Sequence, residues 1–200
     1  MTLALPAGLP APSLPPVPIE PGAPADARAW AILASVPDPE VPAVSVVDLG
    51  IVREVRQEGD GLVVVLTPTY SGCPATEQIE RSVLEALESA GLGPVRAQLQ
   101  RAPAWTTDWI TAQGRQRLLA YGIAPPGACA ALAGDTPGVR EARLQFMPRR
   151  PLQPAQGESI ACPRCGSAHT EQLSAFGSTA CKSLWRCQTC REPFEHFKPI

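Results

Sequence analysis

Two Cys-x-x-Cys pairs near the end of the 200-residue chain restrict its fold more than any other feature of the sequence. Cys162 and Cys165 form the first pair, Cys187 and Cys190 form the second, and twenty-one residues separate the two pairs. A Cys-x-x-Cys turn brings two thiolates to one ion, and two such turns complete the tetrahedral shell that zinc prefers. The spacing therefore predicts a β zinc-ribbon module over residues 161–200, because so short a segment has too little core to fold without a metal. Four thiolates also hold iron-sulfur clusters, so a cluster stays open as the alternative occupant.

Three further side chains in this segment have ligand chemistry. Cys181 precedes Lys182, whose charge favours a thiolate, so Cys181 is either an auxiliary thiol that exchanges as a ligand or a small buried residue. His169 and His196 flank the segment. Because four thiolates already fill a tetrahedral shell, we predict that neither histidine is a ligand.

Composition narrows the class of protein. The chain is 44% hydrophobic and 18% charged, enough for one modest globular domain with a small appendage. Its formal net charge of -2 provides no basic field for nucleic acid or for an anionic membrane, so we expect neither as a partner. Seven cysteines, five of them within residues 162–190, favour a metal in a reducing compartment over a disulfide framework, which predicts a cytoplasmic protein.

The first 24 residues are rich in proline, which removes backbone donors and favours extended conformations. We therefore predict a disordered tail over residues 1–24. The segment lacks the basic start and the unbroken apolar run of a signal peptide. No stretch elsewhere is long enough to span a bilayer.

The middle of the chain alternates helical and extended patterns. A helical pattern of apolar residues follows Asp26, which is placed to cap the first turn of that helix. Two extended runs come next, at 51–57 and 62–67, and an Asp60-Gly61 turn joins them. An amphipathic helix and another extended run come next, an order that makes a crossover unit with parallel strands. A helix ending at Gly122 and a closing strand within residues 139–147 complete the pattern. The prediction is an α+β fold, with helices packed on a small mixed sheet over residues 25–150 and a linker over residues 151–160.

Cys73 lies between the second extended run and the amphipathic helix, directly before Pro74. Proline is common at the first helical position, so Cys73 is predicted to be the N-cap, where helix donors lower a thiol pKa. On the residues alone, the side chain is either a ligand for metal or transfer chemistry, or a buried cysteine at a turn. Cys129 has no supporting neighbours and is assigned no role.

Asp38, Glu40 and Asp48 are carboxylates close to turns, where capping or a solvated loop face explains them. The sequence contains no glycine-rich phosphate loop, its two histidines lie in or beside the metal segment, and no nucleophile, base and orienting residue form a set. Independent catalysis is therefore not expected.

The stretches DPEVPAVSVVDLGIVREV, LTPTYSGCPATEQI and TDWITAQGRQRLLAYGIAPP resemble the MIP18 family over residues 26–126. With the C-terminal cysteines added, the chain resembles more narrowly the PaaD (PaaJ) family of the bacterial phenylacetate-degradation system. The resemblance implies a MIP18-like fold and a role in iron-sulfur cluster assembly beside the multicomponent 1,2-phenylacetyl-CoA epoxidase. It implies that Cys73, which matches the characteristic cysteine before a proline, is a transient metal or cluster ligand. It also makes Asp38 and Glu40 candidate functional carboxylates.

Three functions follow from these observations. The leading hypothesis is a non-catalytic accessory protein that assists maturation of the epoxidase system, with the iron-sulfur reductase as its main partner, structural zinc in the ribbon and transient iron or an iron-sulfur cluster at Cys73. A second hypothesis is an electron-transfer subunit whose C-terminal cysteines hold a redox cluster. A third is a zinc-ribbon nucleic-acid binder, which the acidic balance of the chain disfavours.

Overall fold

The computed structural model describes residues 14–15, 17–20, 22–70, 72–127 and 160–200. It confirms the α+β class, with three α-helices and seven strands in the described ranges. The elements are α1 (Ala25–Leu33), β1 (Val52–Glu58), β2 (Gly61–Leu66), α2 (Thr76–Ser89), β3 (Val95–Leu99), a 3-10 helix (Thr107–Trp109), α3 (Ala112–Tyr121), β4 (Ile123–Ala124), β5 (Thr170–Ser174), β6 (Lys182–Cys187) and β7 (Pro193–Phe197).

The first sheet has the order β1-β2-β3, in which β2 pairs antiparallel with β1 and parallel with β3. The residues from Leu62 to Leu66 in β2 are all buried, because this strand is the centre of the sheet and is covered on both faces. Helix α2 buries Ile79, Val83 and Leu87, one face at helical spacing. The predicted crossover unit is therefore present, and it places the α2 face against the apolar core.

Helix α3 ends at the glycine that the sequence predicts, but the N-cap of α1 differs from the predicted residue. Gly122 closes α3 in the left-handed conformation, with φ 97°, and Thr111 caps its start by accepting from the Gly114 amide. Asp26, which the sequence suggested as a cap, lies inside the first turn of α1, and Pro24 occupies the N-cap position. In the described ranges, no helix is both long enough and apolar enough to cross a membrane.

The second sheet joins the C-terminal ribbon to the rest of the fold. Its order is β4-β7-β6-β5, so the two-residue strand β4, which follows α3, pairs in parallel with β7 of the ribbon. Phe197 and Cys181 belong to the same buried apolar cluster as the core of the first sheet, and the Phe197 ring centroid lies 6.0 Å from that of Trp105. The ribbon is therefore packed against the α+β domain rather than projecting from it.

Several predictions made from the sequence fall on other parts of the chain. The closing strand within 139–147, Cys129 and almost all of the linker at 151–160 lie outside the described residues, as do residues 1–13 of the proline-rich tail. The division into domains at 25–150 and 161–200 remains a prediction.

His196 in β7 leads to a prediction about acid stability. Its imidazole is buried beside Trp185, and burial lowers the pKa of His196 to about 4 from 6.5. Because the unfolded chain takes up this proton between pH 6.5 and 4 and the folded chain does not, His196 reduces stability as pH falls through that window. Between pH 7 and 4.5, we expect the unfolding free energy of His196→Phe to fall by about 2 kcal/mol less than that of the wild-type protein. Denaturation of both proteins in saturating zinc across this pH range measures the difference. Equal pH dependence in the two proteins would contradict the assignment.

Candidate functional site

The four cysteines of the two Cys-x-x-Cys pairs converge on one point. Their sulfur atoms all lie within 4.8 Å of one another. The Sγ atoms of Cys162 and Cys190 are 3.7 Å apart, and those of Cys165 and Cys187 are 3.6 Å apart. Zinc-sulfur bonds of about 2.3 Å in a tetrahedron place sulfurs about 3.8 Å apart, so these distances fit a single tetrahedral ion.

Each pair is carried on a tight turn whose backbone orients the sulfurs. In the first turn, the Gly166 amide donates to the Cys162 carbonyl at 2.8 Å, and Gly166 has a φ of 72°, which glycine adopts without strain. In the second, the Arg191 amide donates to the Cys187 carbonyl at 3.0 Å, and Arg191 takes a φ of 67°. The two turns have the same hydrogen-bond pattern, and their four sulfurs lie within 4.8 Å of one another.

The electrostatics of the cluster favour a bound cation. The Cys190 backbone amide, which donates to the Cys187 sulfur at 3.4 Å, lowers the pKa of the Cys187 thiol to about 6. The Glu192 amide acts to lower the pKa of Cys190, but desolvation and hydrogen bonds with neighbouring sulfurs together raise it to about 12. Adjacent thiols thus resist ionising together, and a divalent cation removes that conflict by pairing with all four thiolates.

Cys73 lies apart from the cluster, in the turn between β2 and α2. The structure corrects its predicted N-cap role: α2 begins at Thr76, its N-cap is Ala75, and no side chain caps it. The chain makes an extra turn at Pro74, in which the Thr76 hydroxyl and amide both donate to the Cys73 carbonyl, at 2.8 and 3.2 Å. Cys73 is half-buried, so the residue is neither sealed in the core nor fully solvated.

A small cavity brings Cys73 together with the other candidate residues. Its volume is about 20 Å³, and Asp38, Glu40, Cys73 and Cys181 all contribute to its lining. The first three belong to the α+β domain, and Cys181 comes from the ribbon, directly before β6. Glu40 also lines a neighbouring open pocket of about 380 Å³. The sequence identified these four residues separately, and the fold places them around one cavity.

The two carboxylates at the cavity differ in their surroundings. Asp38 is buried and accepts hydrogen bonds from the Glu40 and Val41 amides, at 3.0 and 2.8 Å, which is the turn-capping role expected from the sequence. Burial raises the pKa of Asp38 despite these bonds. Burial, followed by the charge of Asp38, raises the pKa of Glu40. Both groups are therefore easier to protonate than ordinary surface carboxylates.

Cys181 and Lys182 form the ribbon side of the cavity. Burial raises the pKa of the Cys181 thiol, although the Thr179 hydroxyl lies 3.0 Å from its sulfur and opposes the shift. The Lys182 side chain is buried, and its ammonium nitrogen lies 2.9 Å from a carboxylate oxygen of Glu195. Lys182 was expected to favour a thiolate at Cys181, but its closest charge partner is Glu195, and burial has the larger effect on the thiol.

The two histidines, which the sequence predicted not to be ligands, do not line the cavity, and one neighbour of Cys73 was missed. His169 is exposed, and His196 is buried in β7, so neither lines the cavity. Tyr70 was not singled out from the sequence, yet burial, followed by the nearby Cys73 thiol, raises its pKa to about 12. The one available signal was its position three residues before Cys73, where its carbonyl accepts from the Cys73 amide at 3.3 Å.

The chain is similar to known proteins over most of its length. A family model described as an iron-sulfur cluster assembly protein matches residues 26–99, and a model described as the PaaD zinc beta ribbon domain matches residues 148–198. A curated relative from Escherichia coli (strain K12), named as a subunit of a putative 1,2-phenylacetyl-CoA epoxidase, is 48% identical over 171 residues, which cover 86% of this chain and 91% of the relative.

Two solved structures are similar to part of the chain. A domain of unknown function (DUF59) from Bacillus anthracis is 27% identical, with a TM-score of 0.44, covering 47% of this chain and 91% of that one. A Mycobacterium tuberculosis protein, described as associated with Fe-S complex assembly and repair, is 34% identical, with a TM-score of 0.30, covering 52% of this chain and 92% of that one.

Proposed function

The chain belongs to the PaaD family of 1,2-phenylacetyl-CoA epoxidase subunits, and we propose from this membership that it is a non-catalytic accessory protein of that epoxidase system. Its task is to assist the assembly of iron-sulfur or other metal centres in the partner subunits, of which the iron-sulfur reductase is the main client. It works in the cytoplasm. Iron, alone or in a cluster, is cargo in this proposal and not a resident cofactor.

The observation that carries the proposal is the position of Cys73. Its half-buried thiol lines a cavity with two carboxylates, and it lies within the segment that matches the iron-sulfur assembly model. A thiol accessible from one side can accept a metal and release it, whereas a sealed thiol cannot. The two histidines of the chain are absent from the cavity, so the residues that line it offer no imidazole for proton transfer. The thiol and the two carboxylates are ligand groups that suit a metal cargo.

The C-terminal cluster has a different task in this proposal: a resident zinc ion holds the ribbon in shape. Four sulfurs within 4.8 Å of one another suit one ion. An iron-sulfur cluster places several irons and sulfides between its thiolates and requires wider spacing across the site. We expect purified protein to be colourless, with one zinc per chain by elemental analysis. Stoichiometric iron and acid-labile sulfide would favour the electron-transfer function instead.

The experiment that tests the accessory function is Cys73→Ser in cells that depend on the epoxidase. Loss of the thiolate ligand is expected to lower the iron-sulfur content of the purified reductase, and ring-oxidising activity with it, by roughly tenfold. The fold and zinc content should stay unchanged, because Cys73 is remote from the cysteine cluster.

A matched control removes a different thiol. Cys129→Ser makes the same substitution at a cysteine with no assigned role and is expected to leave reductase loading and activity at the wild-type level. If Cys73→Ser also supports full loading and activity, the proposed function is wrong.

A further inference from the structure

The docked ribbon contributes a second thiol to the cavity of Cys73. Cys181 is held in place from both sides: the Lys198 amide donates to its carbonyl at 2.9 Å, and its side chain is buried in the core that both modules share. At the C-terminus, the Thr107 amide donates to the Ile200 carbonyl at 3.1 Å. These contacts fix the strand end that carries Cys181 against the α+β domain. The cavity therefore has its present lining only while the ribbon is docked.

The size of the cavity limits what it can hold. A volume of about 20 Å³ is enough for roughly one water-sized particle. A single metal ion fits this volume, whereas a cluster of several irons and sulfides does not.

The lining has the chemistry of a site for a thiophilic divalent ion. Thiolates bind iron and zinc strongly, and carboxylate oxygens complete the shell of such ions. Lys182 pairs with Glu195 at 2.9 Å, and its charge also favours the ionised forms of Asp38, Glu40 and Cys181. Burial raises the pKa of Asp38, Glu40 and Cys181, and a divalent cation between them would reverse that effect by favouring the ionised forms.

We infer that Cys73 and Cys181 are the two thiolate ligands of one mononuclear site, assembled from both modules, whose cargo is a single ferrous ion, with Asp38 or Glu40 as the carboxylate ligand. The inference rests on the proposed function and deepens it. Ferrous ion binds as both thiols release their protons to solvent, with no change of oxidation state. Glu40 also lines an open pocket, together with Lys182 and Glu195.

The geometry suits transient binding. In the part of the chain that the structure describes, the C-terminal quartet is the one group of three or more ligand atoms within 4.8 Å of one another. The donors at the cavity are therefore spaced more widely, and they must rotate to close on an ion. Because that rotation costs binding energy, the cavity holds its ion more weakly than the ribbon holds zinc, as cargo transfer requires.

The test uses the full, zinc-loaded chain under anaerobic conditions, with Co²⁺ as the spectroscopic probe. Wild-type protein should develop the near-ultraviolet absorbance of cobalt-thiolate bonds while retaining its zinc. We expect Cys181→Ser and Cys73→Ser each to halve this absorbance and to weaken binding by tenfold or more, and the double variant to abolish it. Cys129→Ser is the matched control and should behave as wild type.

The outcomes separate this inference from the proposed function. Wild-type absorbance and affinity in Cys181→Ser, with a loss in Cys73→Ser, would overturn the two-thiolate site and leave Cys73 as a lone ligand. No loss in either variant would overturn both proposals. Iron X-ray absorption of wild-type protein loaded with one equivalent of Fe²⁺ avoids any effect of substitution on folding: two sulfur ligands are expected, and one or none would overturn the inference.

Discussion

Replacing Cys187 with serine is expected to release the zinc and unfold the ribbon. Cys187 is fully buried, and its sulfur lies 3.6 Å from that of Cys165. The apolar cluster around the metal site contains, besides its cysteines, little more than Ala124, Phe194 and a few half-buried side chains. Metal binding contributes about 10–16 kcal/mol to the folding of small zinc modules, and a site that lacks one thiolate loses much of this energy.

The α+β domain should lose stability as well, because the ribbon covers part of its core. Phe197 is 2% exposed in the shared apolar cluster, and unfolding the ribbon returns its ring to water at a cost of about 2–3 kcal/mol. Strand β4 also loses its pairing with β7. Zinc content, limited proteolysis and the thermal midpoint of the remaining domain measure these effects together.

The matched control lies in the same turn. Thr189 is exposed, and its hydroxyl lies 2.8 Å from that of Ser167, but it is not a ligand. Thr189→Ala should therefore keep zinc and protease resistance. A Cys187→Ser protein that kept both would show that the cysteine cluster does not hold the ribbon together.

The local part of this architecture could be predicted from the sequence. The crossover unit follows from periodicity within β2, α2 and β3, and the paired cysteines indicate their convergence because each Cys-x-x-Cys turn is a local structure. Gly122 marked the end of α3 for the same reason, since a left-handed terminal residue favours glycine.

The contacts between modules could not be predicted, because their partners lie far apart in the chain. Pairing of Ile123 with Glu195 joins a two-residue strand to the ribbon, and two residues have no detectable period. Cys181 had two interpretations in the sequence because nothing near it indicates that Cys73 lines the same cavity. The predicted N-cap at Cys73 was wrong because a turn at Pro74 delays the start of α2 to Thr76.

The distant partners of Asp48 could not be predicted from the sequence either. Asp48 supports the loop that carries the cavity carboxylates. The sequence suggested capping or a solvated loop face; the side chain is buried, so the solvated loop face was wrong, whereas its bond to the Ser45 amide is a local capping bond. One oxygen accepts from the Ser45 amide at 3.0 Å and lies 2.5 Å from an Arg117 guanidinium nitrogen, and the other lies 3.3 Å from the Thr111 hydroxyl. These bonds fasten the loop before β1 to α3.

Asp48→Ala is therefore expected to destabilise the protein by about 3 kcal/mol, since it leaves the partly buried Arg117 charge and the Ser45 amide without their acceptor. Chemical denaturation monitored by circular dichroism measures this change. The loop holding Asp38 and Glu40 should also loosen, which hydrogen exchange of the Val41 amide reports, because that amide donates to Asp38 at 2.8 Å.

An exposed ion pair provides the matched control for burial. Glu54 lies 3.4 Å from Arg56 on β1, and the Glu54 side chain is 53% exposed. Since solvent screens such a pair, Glu54→Ala removes the same kind of charge at a cost of roughly 0–1 kcal/mol. If Asp48→Ala costs no more than Glu54→Ala, the buried network does not fasten the loop to α3. The position of the cavity carboxylates must then depend on the ribbon that packs beside them, and zinc removal alone should free the Val41 amide to exchange.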